Sequence, residues 1–340
     1  MNMMNKVRNL ISKIIKQALS SEFVNNSSNL NESVRFLNNR MQMLYEQVQL
    51  LDREVEVLKL LTGKMLANQV KAHGNYSNIQ DAEFSVFSQF GDDGIIQYLI
   101  HQIKPVNQRF IEFGTQNYRE SNTRFLLMNN NWKGLIIEGD ASCIDFVKKE
   151  QIYWKYDLTA VNRFIDKENI NQIFIENGFS GEIGLLSIDI DGNDYWIWEC
   201  ISTVNPVIVV AEYNSVFGPD YAITVPYDPK FYRTSAHQSN LYWGCSLKAL
   251  SLLAERKGYV LVGTNSNGNN AHFVRKDKVG DLPFLSIQKG YTESKFRESR
   301  DEQGSLTYLS GSNRLKMIKE MKVYNIESGT LQTIESLFGS

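Results

Sequence analysis

The chain has 340 residues, with 36 Lys and Arg against 38 Asp and Glu and a formal charge of −2, so no overall basic field points to a nucleic-acid partner. Its hydrophobic content of 42% supplies enough apolar material for a full core and excludes disorder over most of the length. At this size one large domain with an appendage, or two domains, are expected. Cys143, Cys200 and Cys245 are odd in number, widely spaced and form no CxxC pair. That argues against a disulfide framework or a cysteine zinc site and fits a reducing, cytoplasmic setting. No run of ~18 apolar residues occurs, so no segment reads as a membrane-spanning helix.

The chain opens on an amphipathic basic helix over 1–22. Val7, Leu10, Ile11, Ile14, Ile15, Ala18 and Leu19 share one stripe, while Lys6, Arg8, Lys13 and Lys16 lie on other faces with no acid before Glu22. Two readings stand: a peripheral anchor on anionic lipid at the inner membrane, or a helix packed on its own protein. Lysines at 13 and 16 interrupt the apolar region and disfavour a secretory signal.

An Asn/Ser-rich link at 25–29 follows, then a coiled coil over 30–70. Apolar residues recur at Leu30, Val34, Leu37, Met41, Leu44, Val48, Leu51, Val55, Leu58 and Met65, with Thr62 breaking the alternation. β-branched residues at most a positions and Leu at d favour a parallel dimer, a trimer being the alternative, and Glu54 at g can pair with Lys59 at e of a partner. Such a rod is about 50 Å long at ~1.5 Å per residue. The plainer reading is a long helix packed within its own chain.

From about Ser85 short β-rich runs alternate with helical ones, giving a domain over 84–280 and a C-terminal extension over 281–340 that is poorly periodic until 315–321. Strands are expected at 109–113, 134–138, 152–156, 184–190, 207–212, 259–263 and 271–274, and helices at 122–130, 144–150, 161–177 and 246–257. Crossovers of this kind make an α/β fold with a mainly parallel, doubly covered sheet that binds ligands beyond the carboxyl ends of its strands. The Asn/Gly-rich turn at 265–270 reads as a hairpin, which makes its second strand antiparallel and places it at the sheet edge.

Acids gather at those strand ends: Glu112 before Gly114, Glu138 before Gly139 and Asp140, Asp157, then Asp189, Asp191 and Asp194, then Glu212. Capping of the next helix accounts for Asp140 and Asp194. Glu138 and Asp189 end very apolar strands, where an unpaired carboxylate is costly unless it meets a ligand or partner. Glu138 also follows Gly114 by 24 residues, the distance at which such an acid takes both hydroxyls of a ribose. A GxGxxG and a P-loop are both missing, so a dinucleotide or nucleoside-triphosphate site is not indicated.

Four motifs in order carry a resemblance: Ser88 to Gly94 (SQFGDDG), Phe110 to Gly114 (FIEFG) with Ser121-Asn122-Thr123, Trp132 to Glu138 (WKGLIIE), and Leu186 to Tyr195 (LSIDIDGNDY). They resemble the FkbM-type family of class I S-adenosylmethionine-dependent methyltransferases over roughly 84–275. The resemblance implies a Rossmann-like seven-stranded sheet with the last-inserted strand antiparallel, and S-adenosylmethionine as cofactor. It puts Glu112 and Gly114 at the methionine end, Glu138 on the ribose, Asp157 near the adenine and Asp189 beside the sulfonium. The loop residues Thr115, Gln116, Asn117, Asn122 and Thr123 join the cofactor-binding set, and Gln89 with Asp92 or Asp93 closes the pocket. The family usually carries two more glycines in the first loop where this chain has Gln116 and Tyr118, whose side chains are expected to crowd the methionine end.

An alcohol acceptor benefits from a general base or from a divalent metal that acidifies it. His237 is the favoured base, with Asp189 and Asp191 in the catalytic set; a loop histidine without chemical duty is the plainer reading, and His73, His101 and His272 rank below it. A metal would be held by Asp189, Asp191, Glu212 and Asn214. The segment 216–244 sets Phe217, Tyr221, Tyr227, Phe231, Tyr232, Tyr242 and Trp243 among polar groups, a mixture that suits a carbohydrate. The expected function is methylation of a sugar hydroxyl on a bacterial cell-surface polysaccharide or its lipid-linked precursor. A catalytically inactive coiled-coil scaffold and a small-molecule methyltransferase are the alternatives.

Overall fold

The computed structural model describes the backbone of residues 2–339 and the side chains of residues 11–17, 32 and 34–339. Most of the apolar stripe and basic face expected over 1–22 therefore lies outside the described side chains. The chain divides into two units, one up to Lys59 and one from Leu60 onward.

The first unit is all helix. α1 runs from Asn2 to His73 without a break at 25–29. Asn and Ser cost a helix only a few tenths of a kcal/mol each, and no Gly or Pro stands before Gly63 to end it. The expected a and d rows, from Val34 and Leu37 to Val55 and Leu58, are all exposed on this single chain.

The second unit begins inside the same helix. Leu60 and Ala67 pack with Val86, Phe87 and Phe125, and Val70 is buried in the main core, so the last turns of the expected coiled coil belong to this body. Gly63 permits the approach: a Cβ there would lie 2.6 Å from Val86 Cγ2. The chain then alternates through α2 (Asp92–Ile103), β1 (Arg109–Phe113), α3 (Arg124–Asn130), β2 (Lys133–Glu138), α4 (Ala141–Lys149), α5 (Gln151–Lys155) and β3 (Leu158–Asn162). It continues through α6 (Ile170–Glu176), β4 (Gly181–Ile188), α7 (Asp194–Cys200), β5 (Val204–Glu212), β6 (Ile223–Thr224), α8 (Arg233–Ala236), α9 (Leu247–Arg256), β7 (Tyr259–Thr264) and β8 (Asn270–Arg275). The tail adds α10 (Ile287–Gly290), α11 (Ser312–Met317), β9 (Lys322–Asn325), β10 (Thr330–Thr333) and α12 (Ile334–Phe338).

The main sheet has seven strands in the order β3-β2-β1-β4-β5-β8-β7, all parallel except β8. This is the Rossmann-like sheet with one antiparallel strand that the resemblance implies. β8 is not at the edge, as the hairpin alone suggested; it inserts between β5 and β7. Alternation along the strands makes two cores. Ile111, Phe113, Leu186 and Ala211 face α6, α7 and α9, whereas Phe110, Ile136, Leu185 and Val210 face α2, α3 and α4.

One strand was misplaced by the sequence. Most of the expected strand 152–156 lies in the helix α5 (Gln151–Lys155), and β3 follows at Leu158–Asn162, taking the start of the helix expected at 161–177. The aromatic run Ile152-Tyr153-Trp154 has strand-like composition, yet Trp154 is 74% exposed and cannot lie in a doubly covered sheet. The C-terminal extension is no separate appendage either. β9 pairs with β6, and Val323, Ile318 and Ile334 share a core with Phe217, Ile223 and Tyr242 of the segment expected to dock the acceptor.

Candidate functional site

Strand order reverses between β1 and β4: β2 and β3 lie on one side, β5 and β8 on the other. At such a switch point the loops leaving adjacent strands part and open a crevice at the carboxyl ends. A cleft of about 910 Å³ lies there, near the upper end of the ~300–1,000 Å³ usual for small-molecule sites.

Its floor is the loop after β1. Gly114 has φ +68°, and a Cβ on it would sit 1.7 Å from the Asp189 carbonyl oxygen, so only glycine lets this loop close onto the end of β4. Gln116 and Tyr118 also adopt left-handed backbone, φ 46° and 60°, a region that ordinarily favours glycine. Tyr118 does not crowd the cleft. It is fully buried, and its hydroxyl lies 3.0 Å from Thr123 Oγ1.

Glu112 supports the loop from below. Its carboxylate accepts from the Asn122 and Thr123 amides and from the Ser121 and Thr123 hydroxyls. Burial still pushes its pKa up against these bonds. Thr123 therefore orients Glu112 and is not among the cleft-lining residues, whereas Gln89, Glu112, Gly114, Thr115, Gln116, Asn117 and Asn122 all line it.

Glu138 ends β2, beside this loop. Its two oxygens accept from the amides of Gln116, 2.8 Å, and Asp140, 2.9 Å, which aims the carboxylate along the cleft. Asp140 caps α4 through the Ser142 amide, as its position suggested. Asp157 is a correction: it precedes β3, pairs with Lys133 at 3.3 Å and does not line the cleft. Asp92 and Asp93 do not close the pocket. Asp93 accepts from the Val86, Phe87 and Ser88 amides, and Asp92 lies 3.3 Å from His272 Nε2, both inside the core.

The far half of the cleft is acidic. Asp189 and Glu212 are both held well above the usual carboxylate range, by burial and by the charges of acidic neighbours, Asp191 and Asp194 among them. Asp191, in left-handed backbone, receives Arg233 Nη1 at 2.7 Å. Arg233 also lies over the Trp243 ring, donates to the Asn240 carbonyl and faces Glu298 of the tail at 3.8 Å. Asp194 pins the Asp191-Gly192 turn by accepting from the Ile190 and Gly192 amides.

His237 is the second correction. It is absent from the cleft lining, its Nδ1 is 2.8 Å from Ser239 Oγ, and burial lowers its pKa. The proposed metal set fares no better. Asn214 donates to the Leu241 and Trp243 carbonyls and accepts from the Val216 amide, and Arg233 occupies Asp191. Among the described residues no group of three or more His, Cys, Asp or Glu side chains is placed to hold a metal ion.

Arg233, Asn267, Asn270, Ser294, Phe296, Glu298 and Arg314 complete the lining, and sequence reasoning missed most of them. The aperiodic tail carried no signal that it returns to the strand ends. Thr115 Oγ1, Asn193 Oδ1, Glu212 Oε2, Asn267 Nδ2 and Asn270 Oδ1 are buried and unpartnered, all on residues that line the cleft. Left so, each carries a desolvation cost of ~1–3 kcal/mol that a polar ligand relieves.

No family model and no curated protein matches this chain. Among solved structures it is similar to the N-terminal domain of EvdMO1 with S-adenosylhomocysteine bound, at 10% identity over 54% of this chain and 79% of that one, TM-score 0.35. An O-methyltransferase from Bacillus cereus in complex with S-adenosylhomocysteine gives 13%, 62% and 89%, TM-score 0.36. A putative O-methyltransferase from Klebsiella pneumoniae gives 12%, 64% and 90%, TM-score 0.34. Likeness at this level carries no weight for activity, which rests on the cleft itself.

Proposed function

We propose that the protein is an S-adenosylmethionine-dependent O-methyltransferase acting on a sugar hydroxyl of a bacterial cell-surface polysaccharide or its lipid-linked precursor, on the cytoplasmic face of the membrane. The observation that carries this reading is the closeness of Gly114, whose bare backbone is seated on the end of β4 with no room for a Cβ, to Glu138 at the end of the neighbouring strand β2 in the same cleft. Glu138 is an acceptor suited to the two hydroxyls of a ribose, and Gly114 with Thr115 and Asn122 forms the floor for the methionine end. When bound, the cofactor supplies a methyl group already activated on a positively charged sulfur.

The chain's own residues must align the acceptor, exclude water and take its proton. Asp189 and Glu212 suit the last task. Burial and the neighbouring acid charges raise the proton affinity of both, so the carboxylate of either is a stronger base than a free one. The acceptor's hydroxyl proton passes to that carboxylate and from there to solvent. Phe231, Tyr232, Trp243 and Phe296 line the cleft beside Asn240, Asn267, Asn270 and Glu298, a mixture suited to the C–H face and hydroxyls of a sugar. Incubation with methyl-labelled donor and a panel of neutral oligosaccharides and lipid-linked sugars tests the reading by mass spectrometry. Label on a sugar oxygen is expected; label found only on non-sugar acceptors would contradict it.

A further inference from the structure

The a and d rows of α1 are not its only apolar rows. Phe36, Met43, Leu50 and Val57 stand seven residues apart at the c position of the same heptads and are 56–62% exposed. At 3.6 residues per turn c lies about 130° round the helix from the middle of the a/d seam. A partner across a two-stranded seam covers a and d and flanks e and g; it does not reach c. Four large side chains in a continuous row make an exposed apolar strip, and burying it takes a second neighbour on another side of the helix.

We propose that residues 34–61 associate with at least two further copies of the same segment, making the chain an oligomer of three or more. The charges select the occupant. Arg35, Arg40, Arg53 and Lys59 balance Glu46, Asp52, Glu54 and Glu56, so this stretch has no net charge to draw it to an anionic surface. Glu54 at g matches Lys59 at e of an identical parallel helix in the same register. The polar rows at b and f, such as Gln42, Gln49, Asn39 and Arg53, are left facing water.

The test is sedimentation equilibrium on the full chain, with two multiple variants beside it. The wild type is expected at the mass of three or more chains. F36Q/M43Q/L50Q/V57Q is expected to lose mass relative to it, and L37Q/L44Q/L51Q to fall to a single chain, both with unchanged thermal melting of the body from Leu60 onward. A wild type of one or two chains, or a c-row variant that keeps the wild-type mass, would overturn the proposal.

Discussion

At the scale of single residues the structure separates acids that hold backbone in place from acids that line the cleft. Asp93 and Asp194 are buried and tie down backbone amides; burial pushes both up to about 6. The contribution of each to stability is fully present below its ordinary value of 3.8 and is lost as pH rises through about 6. The thermal midpoint should therefore be higher at pH 5 than at pH 7.5, by on the order of 1 kcal/mol per group; an equal or lower midpoint at pH 5 contradicts it. Arg233 lowers the proton affinity of Glu212 and holds Asp191. Arg233→Met should accordingly move the acid limb of the kcat/KM profile to higher pH, which a pH–rate series checks. Strand-end position made Glu138 and Asp189 legible in the sequence. Asp157 misled because it stands where a strand begins, and His237 because a polar aromatic segment need not turn every side chain into the cleft.

Among the elements, the β1 loop holds two non-glycine residues in a backbone region that favours glycine. Gln116 and Tyr118 adopt positive φ, and burial of Tyr118 over Thr123 holds the turn, at a cost of ~1–2 kcal/mol per left-handed residue. Gly114 has no such latitude. Gly114→Ala should destabilise the protein by more than ~2 kcal/mol, through positive φ and collision with the Asp189 carbonyl, and chemical denaturation measures the loss. Six of the seven main strands were legible from composition and spacing. β3 was not, since Leu158–Asn162 is short and a stronger β-like run just before it coils into α5. The place of β8 was hidden too, because a hairpin fixes which strands pair but not which of them is the edge.

On the scale of the whole molecule, the boundary expected at 281 does not divide anything. The tail completes the second sheet through β9 and β10 and returns Ser294, Phe296, Glu298 and Arg314 to the cleft. Such long-range returns leave no periodic trace, which is why the half of the cleft built on the strand ends was readable from the sequence and the half built with the tail largely was not. The helix up to Lys59 forms a unit of its own and carries apolar rows whose occupants are argued to be other copies. In the proposed function the cleft between β1 and β4 holds S-adenosylmethionine with Glu138 on its ribose. Calorimetric titration of S-adenosylmethionine and S-adenosylhomocysteine into the full chain, with Glu138→Ala in parallel, tests it most directly. Micromolar binding by the wild type, weakened at least ~10-fold in the variant by the lost hydrogen bonds to both hydroxyls, is the predicted result; a folded wild type that binds neither compound would contradict it.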